Sequence, residues 1–308
     1  MSPKSPFVCG TFLVILVVCG TALSQGEGDK CTQDSLNILL AANTVECDIR
    51  IETFVKGKKY AAVGRYEEQA LPRPAQGQPT QFLRSMYRQE IHFPMSSPTA
   101  NNAERNRMTL VCRPGTDGGN ALVEQYTHIE GVKVFRKVDL TRLEQQIRSA
   151  KREAVFTQVS EVRNLGGISG MMRQINRFYE FSAPVQESLQ DGGIPALKLT
   201  GQLRSIHHDD LLERFGGLGP KGHYPVDFPS DIEIWLGQHN VFPYKIRYLR
   251  RYSTQSDQKT LLFQEEFSNV IINGTPISAT RFAPLTMPDD VFSVQDDTNR
   301  VIGELGLW

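Results

Sequence analysis

Four potential metal ligands stand side by side in the segment SIHHDDLLERFGG, namely His207, His208, Asp209 and Asp210. Imidazole and carboxylate groups bind zinc, and a bound zinc ion can activate water for hydrolysis. Adjacent residues of a helix point in different directions, however, and the i, i+4 spacing of a helical ligand pair is absent. The start of a helix explains the same residues, with Asp209 and Asp210 near the positive end of the helix dipole. We therefore predict no metal and no other cofactor, and keep a metal-dependent hydrolase as the second alternative.

Other segments that could carry catalysis lack the required order of residues. GGLGPKGHYP, residues 216–225, has the glycines of a phosphate loop but not the GxxxxGK[ST] order, and Pro220 stands where a backbone N–H would be needed. No GxSxG motif occurs, Cys112 has no protease signature around it, and the six histidines are scattered. We predict a protein that binds without catalysis.

The N-terminal segment has the pattern of a secretory signal peptide. Lys4 precedes an apolar run from Phe7 to Val18, and small residues follow as far as Ser24. We predict a signal peptide over residues 1–24 and one domain over residues 25–308, in a periplasmic or otherwise exported protein. Lipid attachment at Cys19 is the alternative. The 34 basic residues balance the 34 acidic ones, so bulk charge does not favour nucleic acid as a partner.

Three cysteines follow the predicted signal peptide, at Cys31, Cys47 and Cys112. Exported proteins can form disulfides, and three cysteines allow at most one bridge within the chain. Cys31 with Cys47 is the most local pairing. The alternative is three small buried thiols.

Much of the chain alternates apolar and polar residues with a period of two, which is typical of half-buried strands. The clearest case is the first, where Cys47, Ile49 and Ile51 alternate with charged residues. After a short helix over 36–42, strands are predicted over residues 47–55, 60–66, 82–93, 108–112, 121–129, 132–140, 194–203, 231–236, 241–252 and 261–272. Most connections are too short for a parallel crossover, so we predict a mainly β, antiparallel protein.

Two helices are predicted between these strands, one from Thr141 and one after the glycines at 166, 167 and 170. The second helix carries one apolar stripe, which consists of Met171, Met172, Ile175, Phe178 and Tyr179. Such a stripe usually packs in the core, but methionine and phenylalanine are also adaptable liners for an apolar ligand. We predict this stripe as the ligand-binding surface, on a helix that hinges at its glycines. Further along, Asn273-Gly274 is the signal of a hairpin turn.

The C-terminal third resembles the closing segment of the LolA-like superfamily of lipoprotein carriers. The resemblance rests on the phrase Phe242-Pro243-Tyr244-Lys245-Ile246, on the strand LLFQEEFSNVIING at residues 261–274, and on the exit with Phe282, Pro288, Asp290 and Val291. IRIETFVKGKKYAAVGRYEEQ, residues 49–69, is similar to the first hairpin of the family. The central portion of this chain is longer than in the small carriers.

The resemblance implies a large, curved antiparallel sheet that forms an incomplete barrel, with helices lidding an apolar concavity. It implies a ligand with an acyl chain, a lipid or a lipid-modified protein, in the bacterial cell envelope. The carriers hold their lid with an arginine near the second or third strand, and Arg84 and Arg88 lie in that neighbourhood. The alternative is a protein-interaction or sensing module that uses the same concave sheet.

Overall fold

The computed structural model describes residues 26–55, 58–72, 83–94, 106–115, 119–129, 131–151, 163–189 and 193–304. The predicted signal peptide and Cys19 lie outside these residues. No helix in the described ranges combines the length and apolar character needed to span a membrane.

Thirteen β-strands and five α-helices follow one another within the described residues. The strands are β1 Thr44–Val55, β2 Lys58–Ala70, β3 Ser85–His92, β4 Arg107–Arg113, β5 Leu122–Ile129, β6 Val132–Asp139, β7 Tyr179–Phe181, β8 Val185–Leu189, β9 Ile194–Leu203, β10 Asp231–Gly237, β11 Pro243–Arg251, β12 Lys259–Ile272 and β13 Ser293–Asp296. The helices are α1 Glu27–Ala41, α2 Leu140–Ser149, α3 Arg163–Phe178, α4 Ser205–Arg214 and α5 Thr298–Glu304, with short 3-10 turns at Pro220–Gly222 and Ala279–Phe282.

All thirteen strands belong to one sheet, in the order β13-β6-β5-β4-β3-β2-β1-β12-β11-β10-β9-β7, with β8 also paired to β9. Neighbours are antiparallel, except that β13 joins β6 in parallel. The two ends of this order do not pair with each other among the described strands, so the sheet is curved but open. The predicted fold class, a mainly β protein with a large antiparallel sheet and a few helices, is confirmed.

The strand register defines two faces of the sheet. Along one row, Cys47 lies opposite Tyr66, and Tyr66 lies opposite Gln89. Because side chains alternate across a strand, this row and its alternate neighbours share one face, which we call the inner face. The core lies between this face and the helices, and Tyr66, Leu199 and Ile234 from the sheet belong to it together with Leu36 of α1 and Met172 of α3.

The outer face carries ion pairs between neighbouring strands, such as Lys198 with Glu233 at 3.1 Å. The C-terminal segment then crosses this face from β12 towards β13. Its Arg281 Nε donates to Glu67 Oε2 at 2.8 Å, and its Phe282 is buried. The C-terminal segment that contains Phe282 therefore packs against the outer face, opposite to the helices.

Two local predictions were wrong. The first helix begins at Glu27 and not near residue 36. Asn273-Gly274 does not make a hairpin, because no strand directly follows β12. Asn273 instead takes a left-handed conformation with φ 56°, its N–H donates to the carbonyl of Thr44, and its Oδ1 accepts from the N–H of Asn43. The residue thus ties the end of β12 to the start of β1.

Cys31, Cys47 and Cys112 are free thiols. The structure therefore follows the alternative of unpaired thiols and not the Cys31–Cys47 bridge. Cys47 and Cys112 are buried on the inner face, and Cys31 on α1 is partly buried.

Candidate functional site

The helix α3 covers the inner face and is broken near its start. Gly167 has φ 59° and ψ −151°, so the helical run resumes at Ile168. We call residues 168–178 the lid helix. Four of the predicted stripe residues lie on it and are buried, at Met171, Met172, Ile175 and Phe178. The break at Gly167 lies where the sequence predicted a hinge.

The C-terminal end of the lid helix is continuous with the sheet. Tyr179 begins β7 directly after Phe178, so the prediction that Tyr179 lies on the helix was wrong. Its hydroxyl donates to the carbonyl of Pro229 at 2.8 Å. The carbonyl of Phe178 accepts from the N–H of Arg204 at 2.8 Å, and the Phe178 ring meets the ring of His207 edge-on at 5.0 Å. This end is fixed by backbone and side-chain contacts together.

The N-terminal end of the lid helix meets a buried polar group on the sheet. The N–H of Ile168 donates to Tyr66 Oη at 3.1 Å, and the same hydroxyl donates to Glu68 Oε2 at 2.6 Å. Ser85 Oγ donates to the other carboxyl oxygen of Glu68 at 2.5 Å. The first N–H groups of a helix have no partner within the helix, so the Tyr66 hydroxyl caps the lid.

Burial governs the electrostatics of this group. It raises the pKa of Glu68 above its ordinary value, and the hydrogen bonds from Ser85 and Tyr66 offset only part of that rise. Burial and the charge of Glu68 also raise the pKa of Tyr66 well above its usual range, so this tyrosine remains protonated. The Tyr66 ring stacks on Tyr87 with centroids 5.9 Å apart, which fixes the position of its hydroxyl.

A small cavity lies beside the other end of the lid helix. Gln174, Ile175 and Phe178 of the lid line it together with Leu203 and Tyr248 of the sheet. Its volume is about 10 Å³, which is roughly the space of one water molecule. In this closed arrangement the lid helix itself occupies the space over the inner face.

The inner face carries several polar side chains on the other side of Tyr66. Along the row that continues from Tyr66, Gln89, Gln125 and Arg136 are half-buried, and Leu110, between the two glutamines, is buried. Gln125 Nε2 donates to Thr127 Oγ1 at 3.1 Å on this face. Tyr66 therefore lies between the apolar residues under the lid helix and a part of the same face where half-buried polar side chains alternate with buried apolar ones.

Arg84 and Arg88 lie away from the lid. Arg84 is exposed just before β3. Arg88 follows the inward-facing Tyr87 and thus lies on the outer face, where it pairs with Glu90 and donates to the carbonyl of Arg281 at 3.2 Å. Tyr66, on the inner face, accepts a hydrogen bond from the lid helix.

The histidine and aspartate cluster lies on α4. This helix begins at Ser205, so Asp209 and Asp210 stand beyond its first turn, and the prediction that they begin the helix was wrong by one turn. His207 is buried against Phe178, whereas His208 contacts Asp209 at 2.9 Å and Tyr224 at 3.1 Å. The two rings thus serve different contacts, and no group of metal-binding side chains is found in the described part of the chain.

No protein-family model matches this chain, and no curated protein is similar to it in sequence. Similar solved structures include a DUF1329 family protein from Desulfovibrio piger, at 10% identity and a TM-score of 0.34 over 83% of this chain and 95% of that one. The lipoprotein LppX of Mycobacterium tuberculosis is similar at 12% identity and a TM-score of 0.34 over 82% and 97%. A LolA superfamily protein from Nitrosomonas europaea is similar at 10% identity and a TM-score of 0.26 over 84% and 98%.

Sequence reasoning missed the role of Tyr66 and Glu68. Tyr66 was predicted only as the last residue of a strand over 60–66, and Glu68 lay beyond that strand, whereas β2 extends to Ala70. The signal that could have found them is Glu68 at an inward-facing position, two residues after an inward-facing tyrosine, where an apolar residue is expected.

Proposed function

We propose that this protein binds an acyl chain, carried by a lipid or a lipid-modified protein, between the lid helix and the inner face of the sheet. The observation that carries the proposal is the lid helix itself, whose buried stripe meets the sheet through methionine and phenylalanine side chains. Such side chains repack readily around an apolar guest. The lid helix has a glycine break at one end and a fixed attachment at the other.

Burial supplies the driving force for binding. Each methylene withdrawn from water contributes about 0.8 kcal/mol of binding free energy. A chain of about ten methylenes can therefore offset the free energy that is lost when the lid helix gives up its contacts with the sheet. Beside the described part of the lid helix, the cavity of about 10 Å³ has no room for such a chain. In this proposal the lid helix moves away from the inner face during loading, and the chain replaces the contacts of Met171, Met172 and Ile175.

We further propose an exported protein of the cell envelope that binds and releases its cargo without chemical change. The signal-peptide pattern at residues 1–24 supports export, and the separate contacts of His207 and His208 support a role without catalysis. Recognition of a protein segment on the same face is the competing function, and it predicts a purified chain that carries no lipid.

The test is native followed by denaturing mass spectrometry of protein purified without detergent, combined with titration of a fluorescent acyl probe. We expect a lipid adduct, or saturable uptake of the probe by the empty chain. Met172→Asp places a charge at a fully buried position on the lid helix and should abolish uptake of the probe. Val63→Asp, at an exposed position of β2, should leave uptake unchanged. A folded Met172→Asp protein that binds the probe as tightly as the native chain would remove the proposed site.

A further inference from the structure

We propose that Tyr66 is the latch of the lid and also the partner of the cargo's polar head, so that the protein selects acyl ligands whose head donates a hydrogen bond. The inference rests on the proposed function and adds the chemical class of the ligand to it. An amide or hydroxyl head replaces the N–H of Ile168 at Tyr66 Oη when the lid helix opens.

The geometry indicates which end of the lid helix opens. Phe178 is continuous with β7, its carbonyl accepts from Arg204, and its ring packs on His207. Asn176 of the lid also donates to the carbonyl of Thr32 on α1 at 3.2 Å. At the opposite end, Gly167 supplies a break in the helix, and the Ile168–Tyr66 hydrogen bond joins that end to the sheet. A rotation about the fixed end therefore separates Ile168 from Tyr66 first.

When the lid helix opens, the Tyr66 oxygen loses the N–H of Ile168 as its donor, but the hydroxyl hydrogen of Tyr66 stays bonded to Glu68. The hydroxyl donates to Glu68, whose two oxygens both accept hydrogen bonds from neighbouring side chains. Stacking on Tyr87 keeps the ring in place, so the oxygen remains available as an acceptor next to apolar surface. An acceptor left unpaired there is costly, and a ligand that supplies a donor removes that cost.

The polar groups around Tyr66 narrow the ligand class further. Glu68 lies 2.6 Å from the Tyr66 hydroxyl, and the Glu68 environment contains hydrogen-bond donors from uncharged side chains. A carboxylate head placed at Tyr66 Oη would face an acceptor and a buried carboxyl group. Half-buried Arg136 lies four strands away along the same row, too far to pair with a head group held at Tyr66. A neutral donor head fits this surrounding better than a fatty-acid anion.

A matched pair of ligands tests the inference without changing the protein. Hexadecanamide carries two N–H donors, and N,N-dimethylhexadecanamide keeps the chain and the carbonyl but has none. Each competes with a fluorescent acyl probe for the full chain at pH 7. We expect hexadecanamide to bind on the order of tenfold more tightly, which is the effect of one hydrogen bond to a buried group.

The same pair is then measured on Tyr66→Phe, with Tyr126→Phe as the control because Tyr126 is a buried tyrosine of the outer face. The preference should vanish in Tyr66→Phe and persist in Tyr126→Phe. Equal affinities in the native chain, or a preference that survives in Tyr66→Phe, would overturn the inference while leaving acyl binding intact. A native chain that does not take up the probe would instead overturn the proposed function.

Discussion

Substitution of Gly167 by alanine tests how tightly the lid helix is fitted onto the sheet. Gly167 has φ 59° and ψ −151°, a combination that residues with a side chain rarely adopt. A Cβ atom placed there would lie 2.1 Å from Tyr66 Oη and 3.3 Å from Glu68 Oε2. Because Tyr66 is buried and stacked on Tyr87, its hydroxyl cannot move aside without losing its contacts.

Two costs add in Gly167→Ala. The backbone conformation costs roughly 1–3 kcal/mol for a residue with a side chain. Displacement of the Tyr66 hydroxyl breaks its hydrogen bond to Ile168 and costs about 1–3 kcal/mol more. We therefore expect the free energy of unfolding to fall by about 4 kcal/mol, measured by urea denaturation at 25 °C.

The control for the backbone cost is Gly131→Ala. Gly131 also has a positive φ, of 80°, but a Cβ atom there meets nothing within 4 Å. Gly131→Ala should therefore lower the free energy of unfolding by roughly 1–2 kcal/mol. A double mutant with Tyr66→Phe isolates the contact, because the oxygen that the new Cβ meets is then absent and the cost of Gly167→Ala should shrink by about 1 kcal/mol or more. Suppose that Gly167→Ala and Gly131→Ala lower the free energy of unfolding equally, and that Tyr66→Phe does not change the cost of Gly167→Ala. These results would refute the close contact between Gly167 and Tyr66.

Three further predictions concern charge and packing. Burial raises the pKa of Glu68 above 4.5, so the folded protein holds this proton more tightly than the unfolded chain does. The free energy of unfolding of the native chain, compared with that of Glu68→Gln, should be constant below pH 4.5 and should fall as the pH rises through the raised pKa. Parallel pH curves for the two proteins would contradict this. Asp231 is 1% exposed and pairs with two basic side chains at 2.8 and 2.9 Å, so Asp231→Asn should cost about 2 kcal/mol in urea denaturation. Asp257→Asn, at a fully exposed position, should leave the urea midpoint almost unchanged. Met172→Ala should cost about 2–5 kcal/mol because Met172 is fully buried, whereas half-exposed Met287→Ala should leave the melting curve almost unchanged.

The period of the apolar residues was enough to predict most of the sheet. The strands predicted at 194–203 and 231–236 match β9 and β10 within a residue. In the sequence of β10, Ile232, Ile234 and Leu236 alternate with other residue types, although six of its seven residues are buried in the fold. The edge strands β8 and β13 were missed. Every residue of β13 is exposed or half-exposed, and the same holds for β8, so neither has a buried alternate to create a pattern.

The site was only partly visible in the sequence, for a physical reason. The apolar stripe of α3 is local and follows helical spacing, so its position could be predicted. The hydrogen bond between Ile168 and Tyr66 joins residues 102 positions apart, and no local pattern encodes such a contact. Asn273 was misread for a related reason, because its left-handed conformation suits a hairpin equally well but its partners, Asn43 and Thr44, are distant in sequence.

The most direct test of acyl binding under the lid helix is photo-crosslinking of the full chain with hexadecanamide that carries a diazirine near the end of its chain. The labelled peptides are identified by mass spectrometry. We expect saturable labelling of the lid helix at residues 171–178 and of the inward-facing residues of β9, β10 and β11, with loss of label when unmodified hexadecanamide is added in excess. Labelling that does not saturate, or that falls on the outer face around Trp235 and Phe282, would contradict the proposed site.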